Sequence, residues 1–197
     1  LDGRDPDERE TAWASADIFC SLVDNIQETF GIVPLEAMAA GLPLVVSDWD
    51  GYRDTVREGT DGFLIDTIMP AAGLGDDLAF RHASALDTYD RYCGQVSQLT
   101  AVDIRSAKQA FVELFKSKDL RKKMGTAGQR RVIEGYDWKQ IIPKYEELWG
   151  ELNLIRLRAF QDKGNVRQPW PARLDPFLGF AGYPSQQLTS ETVLALT

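Results

Sequence analysis

From residue 6 to residue 67 the chain alternates between two textures: short unbroken apolar runs, and stretches whose apolar positions recur every three or four residues. The first suits buried strands, the second half-buried helices. After a charged start, a helix is expected from about Pro6 or Asp7, because a proline and early acidic residues suit the positive end of a helix. "AWASADIFCSL" then passes from helical composition into a short strand, Ile18 to Leu22. A loop from Val23 to Gly31 leads into a helix over about Ile32 to Ala40. That helix is punctuated at both ends: Pro34 falls in its first turn, Gly41 follows as a left-handed cap and Pro43 prevents continuation. "LPLVVS" is a continuous apolar strand, "DWDGYRDTVREG" a turn and short helix, and "GFLIDT" another strand.

Strand, helix, strand, helix, strand within about 50 residues implies right-handed parallel crossovers, so the predicted fold class is α/β with a doubly wound parallel sheet. From Ile68 to Ala101 the pattern loosens into an irregular insertion with one or two short helices. Order returns at Asp103, an N-cap for a helix with Ile104, Ala107, Phe111, Leu114 and Phe115 at helical spacing. A second helix is predicted over Lys118 to Glu134, with Leu120, Met124, Ala127 and Ile133 apolar. Asp137 and Gln140 form a capping-box variant that opens a last helix. Its apolar stripe is Trp138, Ile141, Ile142, Tyr145, Leu148, Trp149 and Leu152, with Trp138 and Trp149 expected in the core, and Pro143 is expected to kink it. The predicted domain therefore runs from 1 to 158, with the insertion at 68–101, and an irregular tail follows at 159–197. In that tail "QPWPARLDPFLGFAGYP" is too aromatic for a pure linker and is expected to lie over another surface.

Composition narrows the function. The 197 residues suffice for one domain with a real core or for part of a larger enzyme. No apolar run approaches the roughly 20 residues of a membrane span, so no transmembrane segment is expected. A net charge of −8, with basic residues scattered instead of striped, argues against a nucleic-acid partner. Two cysteines, Cys20 and Cys93, without a CxxC pair fit a reducing compartment, and a cytoplasmic location is expected. Cys20, in an apolar strand, reads as core packing. The opening "LDGRDPDERETAW" has neither an initiator methionine nor a signal peptide's pattern, and predicts a piece of a longer protein.

The candidate chemistry sits in "NIQETFGIVPLEAMAAGLPLVVS". In an open α/β sheet, ligands bind beyond the carboxyl ends of the strands, where loops enter helices. A helix N-terminus offers unpaired N–H groups and partial positive charge to a phosphate, and Gly31 lets the backbone approach closely. Pro34 has no N–H, so the useful amides are those of Phe30 to Val33. Glu28 and Glu36 flank this helix start; eight residues of helix rise cover about 12 Å. A glycosidase's two carboxyl groups need roughly 5 to 9.5 Å. The wider spacing suits gripping both ends of an elongated ligand with hydroxyls at each end and a diphosphate between, the shape of a nucleotide sugar.

"ETFGIVPLE" followed by "AMAAGLPLVVS" resembles the E-x7-E signature of glycosyltransferase family 4, retaining enzymes of the GT-B fold. The likeness covers roughly residues 11 to 67 and 103 to 152. It implies a partial, Rossmann-like C-terminal domain that binds the nucleotide sugar, in a transferase that moves a sugar from a nucleoside diphosphate to an acceptor. Carried over, it implies that Glu28 is the catalytic residue, contacting donor-sugar hydroxyls and supporting the anomeric centre. Phe30, Gly31, Ile32 and Val33 would offer backbone amides to sugar and diphosphate, and Glu36 would take the ribose hydroxyls. Where the family often has Pro-Glu, this chain has Arg53-Asp54, and no ligand role is given to them. The implied partners are the nucleotide sugar, an unknown acceptor and an acceptor-binding domain of the same protein upstream. The family's basic pair for the diphosphate also lies upstream, so this piece alone is expected to be inactive and to bind nucleotide weakly.

No metal site is expected, and no cofactor besides the donor substrate. "DWD" at Asp48 to Asp50 imitates a metal motif of another glycosyltransferase topology, and Asp50 is read as a helix cap. His82, the single histidine, falls in the insertion and reads as a surface residue; Cys93, Tyr89 and Tyr92 read as packing within it. The alternative reading is a non-catalytic module that retains nucleotide-sugar affinity or serves in assembly.

Overall fold

The computed structural model describes residue 2 and residues 4–163. In chain order, α1 (Pro6–Ser15) leads to β1 (Phe19–Ser21), α2 (Ile32–Ala39), β2 (Leu44–Ser47), α3 (Tyr52–Thr55) and β3 (Gly62–Ile65). Next come β4 (Thr67–Ile68), α4 (Asp76–Ala83), α5 (Tyr89–Gln98) and β5 (Ala101–Val102). The helices α6 (Ile104–Lys116), α7 (Lys118–Gly135) and α8 (Trp138–Lys163) complete the described chain. The chain divides into two compact units, Leu1–Ile142 and Pro143–Thr197, with the division at the proline inside α8. The described part of the second unit is the remainder of α8, which continues past Arg158 to Lys163.

β1, β2 and β3 form a parallel sheet in that order, with Ser21 opposite Val46 and Ser47 opposite Ile65. Because side chains alternate along a strand, β2 feeds two cores at once. Leu44 and Val46 pack with Met38 of α2, Tyr52 of α3 and Val56. Val45 packs on the other face with Ile65, Ala107, Ala110 and Leu114 of α6, and Met124 of α7. Helices thus cover both faces of a parallel sheet, the α/β class that the alternation of textures predicts.

Helix ends follow the local chemistry. Asp5 caps α1 by accepting from the Asp7 amide, and Asp103 caps α6 by accepting from the amides of Arg105 and Ser106. At the end of α2, Gly41 takes φ +78°, its N–H reaches the Met38 carbonyl at 2.9 Å and the Leu42 N–H reaches Ala37 at 3.0 Å. These are the paired bonds of a Schellman cap.

The insertion is an excursion with a closed base. Thr67 pairs antiparallel with Val102 and Ile68 with Ala101. Between them, α4 and α5 pack together with Cys93 buried, and His82 stacks on Tyr92 with ring centroids 5.1 Å apart. His82 Nδ1 lies 3.3 Å from the Asp87 carbonyl. The Asp87 side chain is buried and receives Arg81 Nε at 2.7 Å and Arg91 Nε at 3.2 Å. The hydrogen bonds from Arg81 hold the Asp87 carboxyl below the usual carboxylate range. A carboxyl depressed in the folded state stabilises above its unfolded pKa and loses that contribution as pH falls through its folded one. Asp87→Asn should therefore lower the melting temperature at neutral pH. It should also shrink the gap to wild type as pH drops below about 4, as scanning calorimetry across pH would show.

Several expectations are corrected. Cys20 is exposed, not core, because β1 is the outer strand of the sheet and leaves that side chain uncovered. Trp138 and Trp149 are exposed as well, at 71% and 62%, and the described residues bury neither. Ile104 and Phe115 of α6 and Ile133 of α7 point outward; the buried positions are Ala107, Ala110 and Leu114 on α6 and Met124, Gly125 and Gly128 on α7. The N-cap of α3 is Gly51, without a side-chain cap, and not Asp50, whose φ of 32° turns the chain into the helix. The aromatic stretch 168–184 lies outside the described residues. No described helix is long and apolar enough to cross a membrane.

Candidate functional site

The carboxyl end of β1 opens into the loop 22–31, and one internal turn and two neighbours fix its path. Asn25 turns it: its side-chain oxygen accepts from the Gln27 amide at 2.9 Å and its carbonyl from the Glu28 amide at 3.0 Å. Ser97 of α5 donates to the Asp24 carbonyl at 3.1 Å, so the insertion grips the start of the loop. The end of the loop rests on Gly51, whose amide donates to the Thr29 carbonyl at 3.1 Å. A Cβ at position 51 would lie 2.2 Å from that carbonyl oxygen and 2.7 Å from Phe30 Cα. Only glycine permits two loops to approach so closely.

Gly31 is the N-cap of α2, with φ +68° and ψ 105°. Both Glu28 and Tyr52 crowd it. A Cβ at 31 would stand 2.3 Å from Tyr52 Cε1 and 3.2 Å from Glu28 Oε1. The Tyr52 ring is buried at 2% exposure, and its hydroxyl lies 3.1 Å from Ser21 Oγ on β1. Burial pushes the Tyr52 hydroxyl above its ordinary pKa; the Ser21 hydrogen bond opposes this and the nearby Glu28 carboxylate adds to it. Tyr52 is therefore a neutral phenol, with one proton to give.

Phe30, Ile32 and Val33 are exposed around this point. The amides of Ile32 and Val33 fall in the first turn of α2, which has no intrahelical acceptors, and Pro34 behind them is buried. Glu36 is exposed about 6 Å of helix rise beyond Ile32. It lines a shallow groove of about 450 Å³ with Glu10, Trp13, Ala14, Ala39 and Ala40. Glu28, Gly31 and Tyr52 thus form one cluster, and Glu36 stands apart from it, toward α1.

The second loop is braced by charge. Arg53 donates to Asp48 Oδ1 at 2.6 Å and to the Asp48 carbonyl at 3.0 Å, so Arg53 shapes the loop. Arg131 of α7 donates to the Asp54 and Thr55 carbonyls at 2.7 and 2.8 Å, closing the end of the helix that carries Tyr52. The buried Asp61 receives Arg57 through two guanidinium bonds at 2.8 and 2.7 Å.

Sequence reasoning names Glu28, Gly31 and Glu36 as candidates and gives no role to Ser21, Gly51 and Tyr52, which the structure brings beside Gly31 and the loop before it. Their one signal is a Gly-aromatic pair just past an apolar strand. Nothing in the linear pattern says that this pair meets the loop at Glu28.

Residues 3–73 match the family model for group 1 glycosyl transferases. A phosphatidyl-myo-inositol mannosyltransferase of Mycobacterium tuberculosis (strain ATCC 25618 / H37Rv) is 42% identical over 73 residues, 36% of this chain and 19% of that protein. The enzyme of that name from Mycobacterium leprae is 46% identical over 65 residues, 32% of this chain and 17% of its own. A D-inositol 3-phosphate glycosyltransferase of Corynebacterium efficiens is 39% identical over 71 residues, 36% of this chain and 16% of its own. The chain therefore spans less than a fifth of the length of these relatives. Among solved structures, sucrose-phosphate synthase from Thermosynechococcus elongatus aligns with a TM-score of 0.49 and 21% identity, over 73% of this chain and 27% of that one.

Proposed function

We propose, from the match of residues 3–73 to the group 1 glycosyl transferases, that this α/β unit is the donor-binding part of a retaining glycosyltransferase, seating a nucleoside-diphosphate sugar at the start of α2. The observation that carries the reading is the cluster at Gly31. A side-chain-free helix start lies at the carboxyl end of a parallel strand, with the Glu28 carboxylate directly beside it.

Each part has a chemical use. Negative charge grows on the departing diphosphate in the transition state, and the unpaired amides and dipole of a helix start are fixed in place to meet it. Glu28 accepts hydrogen bonds from hydroxyls of the donor sugar and holds the ring so that its anomeric carbon faces the acceptor. Positive charge developing at that carbon is favoured by the same carboxylate. Glu36, exposed farther along α2, takes the ribose hydroxyls. Its groove gives the nucleoside room, and the Trp13 ring there offers a flat apolar wall. The acceptor meets the sugar from a part of the protein outside these residues, so the chain alone binds donor without turning it over.

The names of two relatives put mannose first in a panel of GDP-, UDP- and ADP-sugars, each beside its bare nucleoside diphosphate. Calorimetric titration of the chain should show a preference for one sugar nucleotide. Glu36→Ala should weaken that sugar nucleotide and its bare diphosphate by the same factor, about tenfold for the loss of hydrogen bonds to a carboxylate. Glu28→Ala should weaken the sugar nucleotide alone. Equal loss of both ligands in Glu28→Ala would mean that Glu28 does not hold the sugar.

A further inference from the structure

We propose that Tyr52 is a positioning residue of the donor site, holding the Glu28 carboxylate in place at the end of a short relay that starts at the Ser21 hydroxyl. The inference rests on the reading of Glu28 as the residue that holds the sugar, and adds to it the parts that set its direction.

The geometry runs through three segments of the fold. Ser21 closes β1, Glu28 lies in the loop that follows, and Tyr52 begins α3 after β2. Ser21 Oγ and the Tyr52 hydroxyl are 3.1 Å apart. The edge of the Tyr52 ring and Glu28 Oε1 meet at the space beside Gly31, where a side chain of any size would displace them. A carboxylate only accepts hydrogen bonds, a phenol has a single proton, and a serine hydroxyl can both give and take. The assignment proposed has Ser21 donate to Tyr52, which leaves Tyr52 free to turn its own proton toward Glu28. The buried ring of Tyr52 gives this donor a fixed origin. α3 is itself anchored by Arg131 at the Asp54 and Thr55 carbonyls, so the hydroxyl cannot drift with the loop. A loop carboxylate free to rotate would sample many directions; one aimed by a rigid donor keeps its outward oxygen toward the sugar.

Tyr52→Phe keeps the ring and its packing and removes the proton alone. The chain, the Tyr52→Phe, Ser21→Ala and Glu28→Ala variants and the Glu28→Ala/Tyr52→Phe double variant would be titrated with the preferred sugar nucleotide and with its bare nucleoside diphosphate. Melting temperatures would be recorded beside them. Tyr52→Phe is expected to weaken the sugar nucleotide about tenfold, the loss of one hydrogen bond to a charged group, and to leave the bare diphosphate within twofold. Ser21→Ala should move the same preference in the same direction by a smaller factor. In the Glu28→Ala background, Tyr52→Phe should have no further effect, because it acts only through Glu28.

A Tyr52→Phe variant with unchanged preference, with equal loss of both ligands, or with an effect that adds to Glu28→Ala overturns the proposal. In those cases the donor-site reading stands if Glu28→Ala by itself loses the preference. If Glu28→Ala has no effect on the preference, or if no sugar nucleotide is taken up by the chain, the reading fails and the proposal fails with it. Should Tyr52→Phe melt far below the wild type, Ser21→Ala decides on the same two ligands.

Discussion

Gly125→Ala should lower the melting temperature by on the order of 10 °C, although alanine favours a helix over glycine by about 1 kcal/mol. Gly125 lies inside α7 where that helix crosses the end of α2. A Cβ there would sit 1.9 Å from the Gly41 carbonyl oxygen and 2.8 Å from its carbon. Those atoms are backbone, and the backbone is committed: Gly41 is the left-handed residue of the cap on α2, tied to Met38 and followed by Leu42 tied to Ala37. No rotamer can relieve the contact, so the helices must part. One turn on, Gly128 lies against Met38, where a Cβ would come within 2.9 Å of Cγ. Parting at Gly125 therefore also uncovers a core methionine. Overpacking of this kind costs about 3 kcal/mol net. Gly94→Ala in α5 is the matched control: nothing lies within 4 Å of a Cβ there, so the same exchange should leave stability unchanged or raise it by up to about 1 kcal/mol. Thermal melts of the two variants read the contrast; a Gly125→Ala protein as stable as Gly94→Ala would mean that α2 and α7 do not meet through backbone.

Gly31→Ala should abolish detectable sugar-nucleotide uptake while the chain stays folded. The backbone there has φ +68° and ψ 105°, a region that a side chain makes strained at a cost of about 1–3 kcal/mol. The new methyl would also occupy the space between the Tyr52 ring and the Glu28 carboxylate. Either the ring is pushed out of its core or the loop swings away from α3, and both leave Glu28 misdirected. Titration with the preferred sugar nucleotide, beside circular dichroism to report the fold, separates loss of the site from loss of structure. Wild-type affinity in a folded Gly31→Ala variant would mean that the ligand does not use this helix start.

What the sequence made legible was local. The start of α1 at Pro6, the caps at Asp103 and Gly41, the prolines that bracket α2, and the positions of the three parallel strands depend on residues a few places apart, and each is read from a short window. The candidates Glu28, Gly31 and Glu36 are local in the same way, since one loop and one helix carry all three. The contacts that complete the site are long-range. Tyr52 reaches Gly31 only because β1 and β2 are neighbours in register, and Arg131 braces α3 from a helix far along the chain.

Where hydrophobic periodicity erred, it erred in a consistent direction. It placed Ala107, Leu114 and Met124 correctly but added Ile104, Phe115 and Ile133, where the fold uses Ala110, Gly125 and Gly128. Close helix packing rewards the absence of a side chain, and a scan for large apolar residues does not score an absence. Cys20 failed for a related reason: a strand's composition does not say whether it lies at the margin of its sheet. Trp138 and Trp149 show the same limit on α8, whose stripe establishes that the helix has an apolar side without saying what faces it.

The two-residue ladder between Thr67–Ile68 and Ala101–Val102 has a consequence for how this fold can vary. Because the excursion leaves the end of β3 and delivers the chain to α6 at adjacent points, with the Asp103 amide donating to the Asp66 carbonyl, α6 receives the same entry geometry whether the intervening stretch is a tight turn or a pair of helices. The stretch is a cassette: its length and composition can be exchanged without re-registering a single strand. What such an exchange would not preserve is the grip of Ser97 on Asp24, a hydrogen-bonded tie by which the cassette holds the loop that carries Glu28.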